Sequence, residues 1–145
     1  MVTDIHDADQ QYTGRPQEAD AWIEDKTNAF YLALHSNAKG QPSDPTASGI
    51  VGFYNGLCET EALALLLVNT VDPLLETESN RSYLTECNLN LKELQETHGL
   101  SIPAIILEIG FHDNPQEAYA LITKEQEFAH SIGELLVDFY GLIKK

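Results

Sequence analysis

The chain has 145 residues, the length of one domain, and a globular fold of this size can bury about 70% of its unfolded surface. Its 43% hydrophobic and 8% aromatic content is ordinary for a globular protein and excludes a disordered or fibrous chain. The 23 acidic residues against 8 basic ones give a formal net charge of -15, a field that repels nucleic-acid phosphates and anionic membrane surfaces and attracts cations.

Val2 to Asp9 has the composition of a short strand followed by a charged loop. Gly14-Arg15-Pro16 marks a turn, with Pro16 suited to a first helical position. Ala19, Trp22 and Ile23 then recur at helical spacing within Gln17 to Thr27, and Asn28 is a stop signal. Ala29 to Leu34 is a continuous apolar run ending at His35, the pattern of a strand buried on both faces. A loop rich in Gly, Pro, Ser, Asp and Asn covers Asn37 to Ser48. Ile50 to Tyr54 is a second strand, closed by a turn at Asn55-Gly56.

Thr60 to Leu75 reads as a helix apolar almost all round, hence a buried one. Ala62, Leu63, Leu66, Leu67 and Thr70 mark its inward face, and Pro73 ends or kinks it. Glu76 to His98 is polar and ambiguous, with Leu89, Leu91 and Leu94 suited to a strand or to one face of a helix. Ile102 to Ile109 is a third strand, apolar except for Glu108 and ended by Gly110. A turn and cap at Asp113-Asn114-Pro115 opens a short helix over Gln116 to Ile122. Lys124 to Ile143 is a long amphipathic helix whose stripe is Phe128, Ile132, Leu135, Leu136, Phe139 and Tyr140.

Strands alternating with helices imply an α/β domain of three layers, with a mainly parallel sheet and helices on both faces. There is no internal repeat and no linker, so residues 1–145 read as a single domain. The longest apolar run, Ala62 to Val68, is too short to enter a bilayer as a span. Asp4, Asp7 and Asp9 leave no apolar core for a secretion signal at the start of the sequence. Cys58 and Cys87, 29 residues apart, form no metal knuckle or redox pair; two thiols and one disulfide both fit them.

Two strands carry an ionisable residue where their apolar run breaks, His35 and Glu108. In a parallel sheet both fall near the carboxyl edge, where chemistry gathers in α/β folds. A neutral imidazole is a common zinc ligand, and a half-buried carboxylate beside a metal serves as general base for water. The same residues have a structural reading: a histidine at a strand end often makes only hydrogen bonds, and a strand glutamate can be satisfied by an arginine or a backbone amide.

The words around them narrow the choice. Phe30-Tyr31-Leu32-Ala33-Leu34-His35-Ser36-Asn37-Ala38 resembles the segment that supplies the second zinc histidine in the zinc-dependent N-acetylmuramoyl-L-alanine amidases. Pro103-Ala104-Ile105-Ile106-Leu107-Glu108-Ile109-Gly110-Phe111 resembles the strand that carries the catalytic glutamate of that family. The following Asp113-Asn114-Pro115-Gln116-Glu117-Ala118 turn and the closing helix with Ile132 and Tyr140 are also similar, so the resemblance runs over about residues 15 to 143. It implies a peptidoglycan hydrolase that cuts the amide between N-acetylmuramic acid and L-alanine, with zinc activating a water, Glu108 moving the proton and His35 holding the metal. It also implies action in the cell wall or outside the cell.

The resemblance carries a mismatch. The family takes two further ligands from a histidine in a Gly-rich turn and a glutamate opening the next helix. This sequence has no Asp-x-Gly-His-Gly turn, and Met1 to Asp9 resembles the family's second strand, so an N-terminally incomplete domain is expected. His6 and Glu18 are 12 residues apart and too close to His35 to replace the missing pair within the family topology, while His98, His112 and His130 have no family role. Completion by a second copy is one route, which makes a homo-oligomer an expectation. This chain alone is expected to have little or no amidase activity. The alternative function is a non-catalytic, degenerate domain that binds or scaffolds.

Overall fold

The computed structural model describes residues 14–40, 45–57, 59–78, 83–86 and 100–141. The expected strand at Val2 to Asp9, the ambiguous leucines 89, 91 and 94, and both cysteines lie outside the described residues. The elements are helix α1 (Gly14–Trp22), strand β1 (Tyr31–Asn37), β2 (Ile50–Tyr54), helix α2 (Thr60–Val71), β3 (Tyr83–Glu86), β4 (Ala104–Phe111), α3 (Pro115–Thr123) and α4 (Glu125–Tyr140). Short 3-10 helices at Lys26–Asn28 and Asp72–Leu75 follow α1 and α2.

The first expected helix is shorter than its periodicity suggests. The Asp25 side chain accepts from Thr27 N at 3.0 Å and from Thr27 Oγ1 at 2.6 Å, and this local turn competes with helix continuation. Beyond it, Asp20 takes a hydrogen bond from Lys26 Nζ at 2.7 Å and from Ser101 Oγ at 3.0 Å, which fixes α1 beside the amino end of β4.

The sheet order is β1-β4-β2-β3. β1 pairs parallel with β4 and β2 parallel with β3, but β2 runs antiparallel to β4. The sheet is therefore mixed, with two parallel pairings and one antiparallel pairing. The cause is the connection between β1 and β2. Its described residues, 38–40 and 45–49, hold no helix, and a strand returning without a crossover helix runs the opposite way.

One face of the sheet carries Leu32, Ile50, Ile105, Leu107 and Ile109, packed with Leu63, Leu67 and Val68 of α2, Ala120 of α3, and Phe128 and Ile132 of α4. The opposite face carries Ala33 and Ile106 with Tyr31 and Phe53. The three helices that enter the main cluster lie on the first face, and on the second Ile23, just after α1, packs in a smaller cluster with Tyr31 and Ala104.

Three details differ from the sequence reading. The inward face of α2 is Leu63, Ala64, Leu67, Val68 and Val71, while Leu65 and Leu66 are exposed. β1 is not buried on both faces, since Leu34 is 50% exposed. Gly110 does not end β4; it takes φ 68°, and the pairing with β1 shifts register between His35 and Asn37.

The end of β4 is held by Glu117, which is fully buried. Its Oε1 accepts from Gly49 N at 2.8 Å and Thr77 Oγ1 at 2.6 Å, and its Oε2 accepts from Phe111 N at 2.7 Å. One side chain thus joins the start of β2, the segment after α2 and the end of β4. A Cβ on Gly110 would sit 2.9 Å from Leu75 Cδ2 and 3.2 Å from Glu117 Oε2, so glycine is required there by both space and φ.

Replacing Glu117 by Ala should lower unfolding free energy by about 3 kcal/mol or more, because several buried donors lose their acceptor together. Glu117→Gln should also destabilise, since its amide NH2 would face a donor. Urea unfolding midpoints at constant m-value check both. A second test concerns Asp20, whose hydrogen bond from Lys26 holds its carboxyl below the ordinary 3.8. The stabilisation it gives is present above that value and is lost as pH falls through the lowered one. A carboxyl NMR titration should show the Asp20 midpoint rising towards 3.8 in Lys26→Met.

Candidate functional site

The carboxyl ends of β1 and β4 form one edge because these two strands are parallel neighbours. In that register His35 pairs with Glu108, and Ala33 with Ile106. Register partners on adjacent strands point to the same face about 4.8 Å apart along the hydrogen-bonding direction. His35 and Glu108 therefore stand side by side, both half-buried, beyond the apolar Ala33–Ile106 row. On the other side of Glu108 its register partner is Val51 of β2, which is buried. The carboxyl group is thus walled by an apolar strand on one flank and an imidazole-bearing strand on the other.

The two loops beyond these strands are fastened to each other. His112 N donates to Asn37 O at 2.9 Å, and Lys39 N donates to Asp113 Oδ2 at 3.0 Å. Asn37 Oδ1 accepts from Ala38 N at 2.7 Å, and Asn114 N donates to Phe111 O at 3.0 Å. Asn114 is buried and does two jobs. Its Oδ1 caps α3 at Gln116 N, 3.0 Å, and its Nδ2 donates to Ala47 O at 2.9 Å. Protein hydrogen bonds thus tie together the loops beside His35 and Glu108.

The other histidines separate from this pair. Ser36 follows His35 along β1 and so faces the opposite way, and its Oγ lies 3.0 Å from His112 Nδ1. The exposed His112 ring belongs to that contact, not to the His35–Glu108 face. His130 pairs with Glu134 at 3.3 Å on the surface of α4. Glu18 lies in α1, which Asp20 and Ser101 fasten to the amino end of β4, the far end from Glu108. His6 and His98 lie outside the described residues.

Hydrolytic zinc needs three protein donors and one open position. Among the described residues no group of three or more His, Cys, Asp or Glu side chains is placed to hold a metal ion. His35 beside Glu108 is one imidazole and one carboxyl, so the described donors alone do not fit such an ion.

Glu117 was the residue least visible as a site determinant. Asn114 followed three places later by Glu117 has the spacing of a capping box, which signals a local role. The structure sends the carboxyl group instead to Gly49, Thr77 and Phe111.

No family model and no curated protein sequence matches the chain. Solved structures do. The catalytic domain of CwlV, an N-acetylmuramoyl-L-alanine amidase from Bacillus (Paenibacillus) polymyxa, aligns with a TM-score of 0.70 at 15% identity, over 92% of this chain and 68% of its own. An N-acetylmuramoyl-L-alanine amidase from Clostridium difficile gives 0.69 at 18% identity, over 91% and 66%. AmiC2 of Nostoc punctiforme, another, gives 0.68 at 20%, over 91% and 67%.

The chain has the amidase fold.

It spans about two thirds of the length of these amidase structures. At such identity the likeness is one of architecture, and the chemistry must be argued from the residues. No described helix of this amidase-fold chain is long and apolar enough to cross a membrane.

Because loop and backbone hydrogen bonds hold this edge, removing the imidazole should leave the fold intact. His35→Ala should shift the unfolding midpoint by no more than the equivalent of about 1 kcal/mol, because a half-buried polar side chain near a strand end contributes modestly. Backbone NMR shifts should change only along β1 and the end of β4.

Proposed function

We propose that this domain acts on peptidoglycan at the β1–β4 edge, and that its reaction is hydrolysis of the amide between N-acetylmuramic acid and L-alanine. The observation that carries this reading is the register pairing of His35 with Glu108 on an amidase-type sheet. Residues 1–145 are then one amidase-like catalytic domain, acting in the cell wall or outside the cell.

In this reading Glu108 is the catalytic residue. Its carboxylate takes a proton from water as the water oxygen adds to the amide carbon, then returns that proton to the departing L-alanine nitrogen as the C–N bond breaks. Buried Val51 limits solvent on one flank of the half-buried carboxylate. His35 is the proposed metal ligand. Zinc would supply carbonyl polarisation, but its remaining donors must come from residues outside the described ones or from a second copy of the chain. For that reason no step is assigned to it.

A second reading is favoured by the donor set itself. A single described imidazole beside Glu108 suits a domain that holds peptidoglycan without cutting it, as a binding or scaffold module.

The experiment uses purified peptidoglycan, the intact chain and graded zinc. The expected result is retention on peptidoglycan with weak, chelator-sensitive release of L-alanine amino groups. Glu108→Gln should lower that release by about 100-fold or more while leaving retention unchanged. Retention with no release at any zinc level supports the binding module. A chain that neither binds nor cuts peptidoglycan overturns both readings.

A further inference from the structure

Strand β1 ends the sheet: among the described residues it has β4 on one side and no strand on the other. Tyr31 N donates to Pro103 O and Asn37 O accepts from His112 N, each at 2.9 Å, so the odd-numbered residues of β1 turn their backbone groups toward β4. Alternate residues of a strand turn these groups to opposite sides. Leu32, Leu34 and Ser36 therefore direct N–H and C=O outward, along the outer edge. Sheet edges are usually blunted by a charge or a proline. Tyr31–Asn37 holds no Lys, Arg, Asp, Glu or Pro.

The side chains beside this edge are apolar. Leu34, at the middle of the strand, is 50% exposed. Phe30, just before β1, meets Tyr140 of α4 with ring centroids 5.7 Å apart, and Tyr140 is 43% exposed, so apolar surface continues from the strand onto the end of α4. The edge is also self-complementary. Two copies related by a two-fold axis at Leu34 pair antiparallel, Leu32 with Ser36 and Leu34 with Leu34, and each of these is a hydrogen-bonded pair. The formal charge of -15 opposes the approach of two copies. None of the acidic residues lies in the strand, however, and at physiological salt their field is screened beyond about 8 Å.

We propose that the outer edge of β1 binds a second copy of this chain, by antiparallel addition of that copy's β1, so that the two sheets continue into one. Leu34 of each copy then covers Leu34 of the other, with Cα atoms about 5.5 Å apart. On the opposite face Ala33 of each copy lies across from His35 of the other, and the two His35 residues come within about 8 Å. Both His35–Glu108 pairs therefore open on one shared face. The buried surface comes mainly from one strand of each copy, below the roughly 1,600 Å2 of a standard interface. The dimer is accordingly a weak one that forms as concentration rises.

Sedimentation velocity of the intact chain, from micromolar to millimolar concentration, should show a monomer passing into a dimer. The dimer should strengthen as salt rises, because salt screens the repulsion between two acidic copies. In hydrogen exchange the Leu32, Leu34 and Ser36 amides should slow by about tenfold or more between dilute and concentrated samples. Those of Ala33 and His35, already turned to β4, should not change. Leu34→Lys, at a half-exposed position, should keep the far-ultraviolet circular dichroism of the native chain and lose the dimer. A chain that stays monomeric throughout would overturn the proposal. So would a dimer whose three outward amides exchange equally fast at every concentration, or one that salt weakens, since its contact would then lie elsewhere. The exchange measurement uses the native chain, so it decides the matter even where Leu34→Lys fails to fold.

Discussion

A buried carboxyl group fastens the working edge of this domain. Glu117 lies at the third position of α3, yet its hydrogen bonds reach the first residues of β2, the segment after α2 and the last residue of β4. Two of the donors, Gly49 N and Phe111 N, are backbone amides at strand ends, and the third is the Thr77 hydroxyl. Burying them unpaired would cost about 1–3 kcal/mol each. One side chain with two acceptor oxygens meets the need for three donors. Because Gly110 must pass beside it at positive φ, the bulge in β4 and the position of Glu117 depend on each other.

The direction of β2 follows from the same edge. β1 and β4 point toward it, while β2 starts from it, so the loops after β1 and β4 and the approach to β2 converge there. Asn114 Nδ2 on Ala47 O and Lys39 N on Asp113 Oδ2 are products of that convergence. In an all-parallel sheet the start of β2 would lie at the other end, and Glu117 would have no Gly49 amide to hold. The antiparallel junction is therefore part of how the edge is assembled.

Much of this was legible in the sequence, for identifiable reasons. His35 and Glu108 stand out because each is the ionisable residue that breaks a continuous apolar run. Their side-by-side pairing follows once β1 and β4 are parallel neighbours. Strand direction was not legible, since the β1–β2 connection is a polar loop whose path depends on contacts far along the chain. The inward face of α2 was misread because the helix is apolar almost all round, and periodicity then cannot choose between Leu66 and Ala64. Asp25 hid the early end of α1, as a single side chain turning on Thr27 leaves no periodic trace. Glu117 resembled a helix cap because sequence spacing reports local partners only.

These features separate stability from chemistry. Strand β4 is apolar on the helix-packed face through Ile105, Leu107 and Ile109, and that face carries the main core. Glu108 projects to the other face, where it takes no share in that core. The loops beyond are closed by hydrogen bonds between protein groups. A domain built this way can change the side chains at that edge without disturbing the main core. The fold can therefore persist at 15–20% identity to amidase structures. Function must then be judged at the His35–Glu108 edge itself, because the core beneath it would look the same in a hydrolase and in a binding domain.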